Sequence, residues 1–147
     1  MTYKIREVDA SDEETADIIH EFNRSSDLKF PKLVEDELEG VNCFWWLGYY
    51  RDEPIAFAGM VPSRLYPNAG YLKRSGVFPE HRGNGLQLRF FRAREQKARK
   101  IGWTMLVSET VTENVHSANN FIRAGYRLFE PKEKWARDSI YWKKDLL

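Results

Sequence analysis

Gly76-Val77-Phe78-Pro79-Glu80-His81-Arg82-Gly83-Asn84-Gly85-Leu86 is the stretch on which the fold turns. It begins as the tail of a strand that starts at Tyr71, is stopped by Pro79, and passes two closely spaced glycines into a charged, periodic segment. That segment, Leu86 to Ile101, places Leu86, Phe90, Ala93 and Ile101, joined by Phe91 and Ala98, on one stripe. The spacing predicts a long amphipathic helix ended by Gly102. A helix that starts from such a turn presents backbone N–H groups without intrahelical partners. Glycines let an oxygen approach the backbone, the helix dipole favours negative charge, and Arg82 adds a charge-assisted donor, so the segment suits a pyrophosphate. The plainer alternative is a strand-to-helix turn whose glycines only relieve backbone strain. Neither common nucleotide fingerprint applies: no Gly-Lys-Ser/Thr follows, and Gly-x-Gly-x-x-Gly needs glycine where Leu88 stands.

Upstream, Tyr3 to Val8 predicts a strand, and Ser11-Asp12-Glu13-Glu14 caps a helix carrying Ala16, Ile19 and Phe22. Phe30-Pro31 opens a short second helix through Leu33, Val34 and Leu38 that Gly40 terminates. Phe44 to Tyr50 and Ile55 to Val61 predict paired strands about the turn Arg51-Asp52-Glu53-Pro54, and Tyr66 to Gly70 is a further turn. Downstream, Trp103 to Val107, continuing to Thr110, reads as a strand. Asn114 to Ala124 reads as a helix closed by Gly125, and Tyr126 to Phe129 and Ser139 to Lys143 as strands. With no repeat, linker or low-complexity tract, the expectation is one domain over residues 1–147 built as a mixed α/β layer structure.

The 23 Lys and Arg residues against 22 Asp and Glu leave a charge of +1, which disfavours nucleic acid or an anionic membrane as partner. Cys43 is the single cysteine, so no intrachain disulfide forms and a reducing compartment, the cytoplasm, is expected. The start of the chain lacks a secretory apolar region, and no run of about 18 apolar residues offers a membrane span. No His, Cys, Asp or Glu group has metal-ligand spacing, so no metal is expected.

Taken whole, Gly76 to Leu86 resembles the GNAT acyltransferase superfamily, whose signature is Arg/Gln-x-x-Gly-x-Gly/Ala after a valine-containing strand. Asn114-Val115-His116-Ser117-Ala118-Asn119-Asn120-Phe121-Ile122-Arg123-Ala124-Gly125-Tyr126 is similar to that family's second signature, an Asn followed by a helix ending in an aromatic and Gly-Phe/Tyr. The resemblance is close over residues 71 to 130 and looser upstream. It implies a single-domain α/β fold of the α+β mixed-sheet kind, mostly antiparallel, with splayed middle strands flanked by helices. It also implies acetyl-CoA (coenzyme A) as co-substrate, its pantetheine arm paired with the strand through Ser75-Gly76-Val77. Carried over by position, Val77 offers backbone hydrogen bonds to pantetheine. The amides of Arg82, Gly83, Asn84, Gly85, Leu86 and Gln87 surround the pyrophosphate, and Asn114 and Asn120 approach the pantetheine or its thioester end. Gln87 departs from the small residue usual there, and its side chain either points outward or donates to the cofactor.

A lysine-like amine, with a reference pKa of ~10.4, is mostly protonated near neutral pH, so attack on a thioester requires a base or a water path. Glu109, at the end of its strand, is the candidate, with Thr110 and Thr112 able to order such a water; the alternative is an ordinary surface glutamate. The Val77 N–H is a candidate oxyanion donor. The family's acid is a tyrosine where this chain has Phe121, which carries no proton. Either the thiolate, whose thiol pKa is ~8.5, leaves unprotonated, or Ser117 or Tyr141 serves instead. His116 reads more simply as an exposed histidine near a cap, and Cys43 as an inert thiol.

On the acceptor side, one face of the aromatic strand Phe44 to Tyr50 belongs to the core, while Trp46 or Tyr50 suits either further packing or an amine-binding cleft. The basic helix residues Arg89, Arg92, Arg94, Lys97, Arg99 and Lys100 read as mostly solvated surface, with Arg89 or Arg92 the lesser candidates to meet the cofactor's 3′-phosphate or an acidic partner. The function implied is transfer of an acetyl group to a primary amine of a small molecule, amino acid or protein by direct attack in a ternary complex, by a monomer or homodimer. Two alternatives remain open: a non-catalytic acyl-CoA sensor, and transfer of another acyl group to a nucleobase or nucleic-acid-linked acceptor.

Overall fold

A computed structural model of the chain describes residues 2–25 and 30–147. In chain order the elements are β1 (Tyr3–Val8), α1 (Glu13–Ser25), α2 (Glu35–Glu39), β2 (Phe44–Tyr50), β3 (Glu53–Pro62) and β4 (Ala69–Val77). A 3-10 turn (Pro79–His81), α3 (Leu86–Lys100), β5 (Met105–Val111), α4 (Val115–Arg123), β6 (Arg127–Leu128) and β7 (Ser139–Asp145) follow. The strands form one open seven-stranded sheet in the order β1-β2-β3-β4-β5-β7-β6. Pairing is antiparallel at β1–β2, β2–β3, β5–β7 and β6–β7 and parallel at β4–β5, the mixed, mostly antiparallel sheet expected from the sequence. Among the described residues no helix is long and apolar enough to cross a membrane.

Close packing divides the chain into two compact units, Met1–Val61 with Lys73–Phe90, and Pro62–Leu72 with Phe91–Leu147. In the first, Asp12 caps α1 by accepting from the Thr15 N–H (3.1 Å) and hydroxyl (2.8 Å). The helix then sets Ile19 and Phe22 against Trp45, Leu47 and Phe57. Trp45, Trp46 and Leu47 are all buried, so consecutive residues of β2 are covered on both faces. Core packing thus takes Trp46, rather than an amine cleft. In the second unit Phe91, Phe121, Tyr126 and Trp142 form an aromatic core, with Phe121 stacked on Trp142 at 5.5 Å and set edge-on to Phe91 at 5.0 Å.

Several expectations are corrected. The second helix starts at Glu35, not Phe30, because the Pro31 carbonyl is held by Asn23 Nδ2 (2.9 Å) and Val34 is extended. Glu37 then closes the first turn by accepting from the Val34 N–H (3.0 Å). β4 begins two residues earlier than Tyr71, at Ala69, and β5 starts at Met105 because the Trp103 N–H still bonds Ala98 at the end of α3 (2.9 Å). Arg94, expected on solvated surface, is buried at 2% exposure beside the equally internal Glu95. Glu95 accepts from Lys144 Nζ (2.8 Å) and the Tyr126 hydroxyl (3.2 Å), and burial, against the attraction of Tyr126 and Glu95, lowers the Arg94 pKa to about 10.

Candidate functional site

In the first unit the segment after β4 is built by local backbone rules. The Phe78 N–H bonds Ile55 O (2.9 Å), and Pro79, without a donor of its own, opens the 3-10 turn. The Arg82 N–H closes that turn on Pro79 O (3.3 Å), so this amide faces inward rather than toward a phosphate as expected. Gly83 (φ +81) and Gly85 (φ +77) are left-handed, while Asn84 between them is not. Alternation of backbone hand is the pattern in which successive N–H groups turn to one side as an anion nest. A Cβ at either glycine would meet nothing within 4 Å, so glycine is required there by conformation and not by crowding. The first intrahelical bond of α3 runs from the Arg89 N–H to Gly85 O (3.2 Å), which leaves the N–H groups of Leu86, Gln87 and Leu88 ahead of the helical ladder.

The side chains support that backbone. Arg82 Nε donates to Val77 O (3.0 Å), which brings its guanidinium over the end of β4 and occupies a carbonyl expected to face pantetheine. Leu86 is buried at 2% exposure and anchors the helix start. Gln87 turns its side chain to β4, where its Oε1 accepts from the Ser75 hydroxyl. Arg89, one of the two residues considered for a 3′-phosphate, donates to Tyr3 O (3.0 Å). Tyr50 packs against Tyr3 and His81, at 5.3 and 5.2 Å between ring centres.

In the second unit, backbone pairing of β4 with β5 runs from Ala69↔Met105 to Tyr71↔Val107. At the next position Leu72 O accepts from the Ser108 hydroxyl (3.0 Å), and β5 continues to Val111 in register with β7. Glu109 lies on this continuation, half-buried. Its two carboxylate oxygens accept from the Tyr71 hydroxyl (2.6 and 2.7 Å), and Oε1 also accepts from Trp135 Nε1. The Thr110 hydroxyl accepts from the Trp142 indole N–H (3.0 Å), and the Thr112 hydroxyl donates to Glu113 (3.1 Å).

Asn114 is the N-cap of α4, its Oδ1 accepting from the Ser117 N–H (3.1 Å), and Asn120 lies half-buried further along the helix. The Tyr141 hydroxyl donates to Ala136 O (2.6 Å) and accepts from the Ala136 N–H (3.2 Å), which directs its proton at the backbone rather than at a leaving group. Phe121 is internal, and His116 is exposed. Back in the first unit, Cys43 is half-buried; burial, then the charges of Glu37 and Asp36, push its thiol pKa up and favour the unreactive protonated form. Among the described residues no group of three His, Cys, Asp or Glu is arranged to hold a metal ion.

The sequence model of the Acetyltransferase (GNAT) family matches residues 7–126, most of the chain. The chain belongs to the GNAT acetyltransferase family. Comparison with curated proteins gives no match. Among solved structures, a GNAT-family protein of Desulfovibrio desulfuricans superposes with a TM-score of 0.82 at 16% identity, covering 99% of this chain and 100% of that one. A Bacillus anthracis protein crystallised with acetyl coenzyme A gives 0.77 at 16% identity, with 99% of both chains covered. A Bacillus subtilis acetyltransferase in complex with CoA gives 0.72 at 15% identity, with 99% and 100% covered. At these identities the likeness establishes the fold. GNAT enzymes use acetyl-CoA as co-substrate, and the residues present fit its pyrophosphate: Arg82 to Gln87 contains no carboxylate, two glycines shape the nest, and Arg82 supplies positive charge.

Sequence reasoning did not find Tyr71 and Trp135, the donors that hold Glu109. Tyr71 stands on a strand and Trp135 in a loop, and neither spacing nor composition pairs them with a carboxylate 38 and 26 residues away. It also left out the contacts of Ser75 on β4 with Gln87 and of Tyr3 on β1 with Asn84.

Proposed function

We propose that this chain moves the acetyl group of acetyl-CoA to a primary amine of a small molecule, amino acid or protein by direct attack in a ternary complex. The observation that carries the reading is the left-handed Gly83 and Gly85 on either side of Asn84 at the head of the 15-residue α3. In this reading the N–H groups from Gly83 to Gln87 bind the pyrophosphate, and the Val77 N–H serves the pantetheine or the developing oxyanion. Bound acetyl-CoA supplies the activated acyl carbon and a thiolate leaving group. Glu109, held by Tyr71 and Trp135, takes the amine proton. Asn114 and Asn120 serve the pantetheine end, Asn114 through whatever its capping oxygen leaves over. Ser117 is the remaining hydroxyl candidate for the departing thiolate, since Tyr141 is committed to Ala136.

A second reading, an acyl-CoA-binding module without turnover, is favoured by Phe121. Its ring is packed into the aromatic core and offers no proton to a thiolate. Calorimetric titration with acetyl-CoA, followed by thiol release across a panel of amines, separates the readings. Binding with amine-dependent thiol release supports transfer, and binding without it supports the module. No binding at millimolar acetyl-CoA sinks both.

A further inference from the structure

Tyr3 stands 81 residues before Asn84, yet the two share a hydrogen bond, Asn84 Nδ2 to the Tyr3 hydroxyl at 3.2 Å. Asn84 Nδ2 also faces His81 O (3.0 Å) and Arg82 O (3.3 Å). Both carbonyls only accept, so the group facing them is the NH2, and Asn84 must be the donor to Tyr3. The Tyr3 hydroxyl also shares a hydrogen bond with His81 Nδ1 at 3.0 Å. Asn84, Tyr3 and His81 are thereby linked in one hydrogen-bonded chain.

The anchor of this chain is rigid. Tyr3 is 7% exposed, packs its ring on Tyr50, pairs in register with Tyr50 across β1 and β2, and accepts from Arg89 of α3 at its carbonyl (3.0 Å). The loop it touches is the opposite: Arg82, Gly83, Asn84 and Gly85 are all exposed. A nest with two left-handed residues at the surface has few contacts of its own to keep that conformation.

We propose that Tyr3 is a positioning residue for the phosphate cradle, its hydroxyl holding the Asn84 amide and, with His81, keeping residues 83 to 85 in the anion-binding conformation before the ligand arrives. The inference rests on reading this loop as the pyrophosphate site of acetyl-CoA. A loop ordered in advance spares the ligand the cost of ordering it, so loss of the tether appears as weaker binding of the pyrophosphate part alone.

Tyr3→Phe keeps the ring and its packing and deletes the hydroxyl. Calorimetry on the full chain is expected to show a CoA dissociation constant raised about 2- to 10-fold. Ligand-observed NMR is expected to show unchanged binding of S-acetylpantetheine, which lacks the pyrophosphate. Asn84→Ala breaks the Tyr3–Asn84 contact from the exposed loop, and in that background Tyr3→Phe should weaken CoA binding less than it does in the wild type. A merely structural tyrosine would weaken both ligands equally and add to Asn84→Ala. Either of those results, or wild-type affinity for CoA in Tyr3→Phe, overturns the positioning role while leaving the cofactor site intact. If the wild-type chain itself binds no CoA, the reading of the loop as a cofactor site falls, and the role of Tyr3 with it.

Discussion

Gly85→Ala separates conformation from space in the cradle. Gly85 has φ +77, and a methyl group added there would meet no atom within 4 Å. Alanine therefore neither clashes nor removes a contact, and its whole effect is the cost of a left-handed backbone for an L-residue, about 1–2 kcal/mol. Because residue 85 is exposed and that strain exceeds the roughly 1 kcal/mol of the Tyr3–Asn84 tether, the free loop sheds it by turning to negative φ, and the melting temperature should hardly move. Binding of the pyrophosphate must restore the nest, so the cost reappears in affinity as a rise of roughly 5- to 30-fold in the acetyl-CoA dissociation constant. Asparagine visits the left-handed region more readily than alanine, so Gly85→Asn should fall between the two. Calorimetric titration of the three proteins, with thermal melts alongside, reads out the order Gly, Asn, Ala. Alanine binding as tightly as glycine, or asparagine no better than alanine, would refute the reasoning.

Glu109→Gln leaves one oxygen to accept from both Tyr71 and Trp135 and, if Glu109 takes the amine proton, should lower kcat by roughly 10²- to 10⁴-fold with acetyl-CoA affinity unchanged; a kcat within a few-fold of wild type removes it as the base. Glu37 is a test in pH. Burial disfavours its charge, but hydrogen bonds from Lys73 and the Val34 N–H and the charges of Lys73 and Arg74 outweigh burial and hold its pKa below the usual glutamate value. A carboxyl with a lower pKa folded than unfolded contributes stability above the unfolded value, and that stability is lost as pH falls through the folded value. Glu37→Gln should therefore lower the urea midpoint at pH 7 and approach wild type in acid, whereas an equal deficit at both ends contradicts the assignment. Gly59→Ala would put a methyl group 2.6 Å from the fully buried Trp45 ring, so a loss of about 1–3 kcal/mol is expected in urea denaturation, with acetyl-CoA affinity retained.

What could be read in the sequence was local. The helix from Leu86 and its end near Gly102 follow from apolar spacing and a glycine stop, and α3 ends at Lys100. The extent of α4, from near Asn114 to Gly125, and the turn at Arg51-Asp52 were likewise places where a few neighbouring residues decide the backbone. The second helix was misread where local signals competed with distant ones. Apolar spacing favoured helix from Phe30, but Asn23 and Arg74 hold the Pro31 carbonyl and keep that stretch extended. Arg94 was misread for a related reason. Charge alone places an arginine in water, and only the packing of Phe91 and Tyr126 around it puts it inside.

The cradle shows both sides of this division. Gly83 and Gly85, the stop at Pro79 and the helix that follows were determined by sequence alone, because a left-handed turn, a missing donor and a helix start are properties of adjacent residues. Which side chains hold that turn was decided only by the tertiary structure. Ser75 meets Gln87, Tyr3 meets Asn84, and Tyr71 and Trp135 meet Glu109 through strand register and helix rotation, and a hydrogen bond across 12 to 81 residues leaves no trace in local spacing.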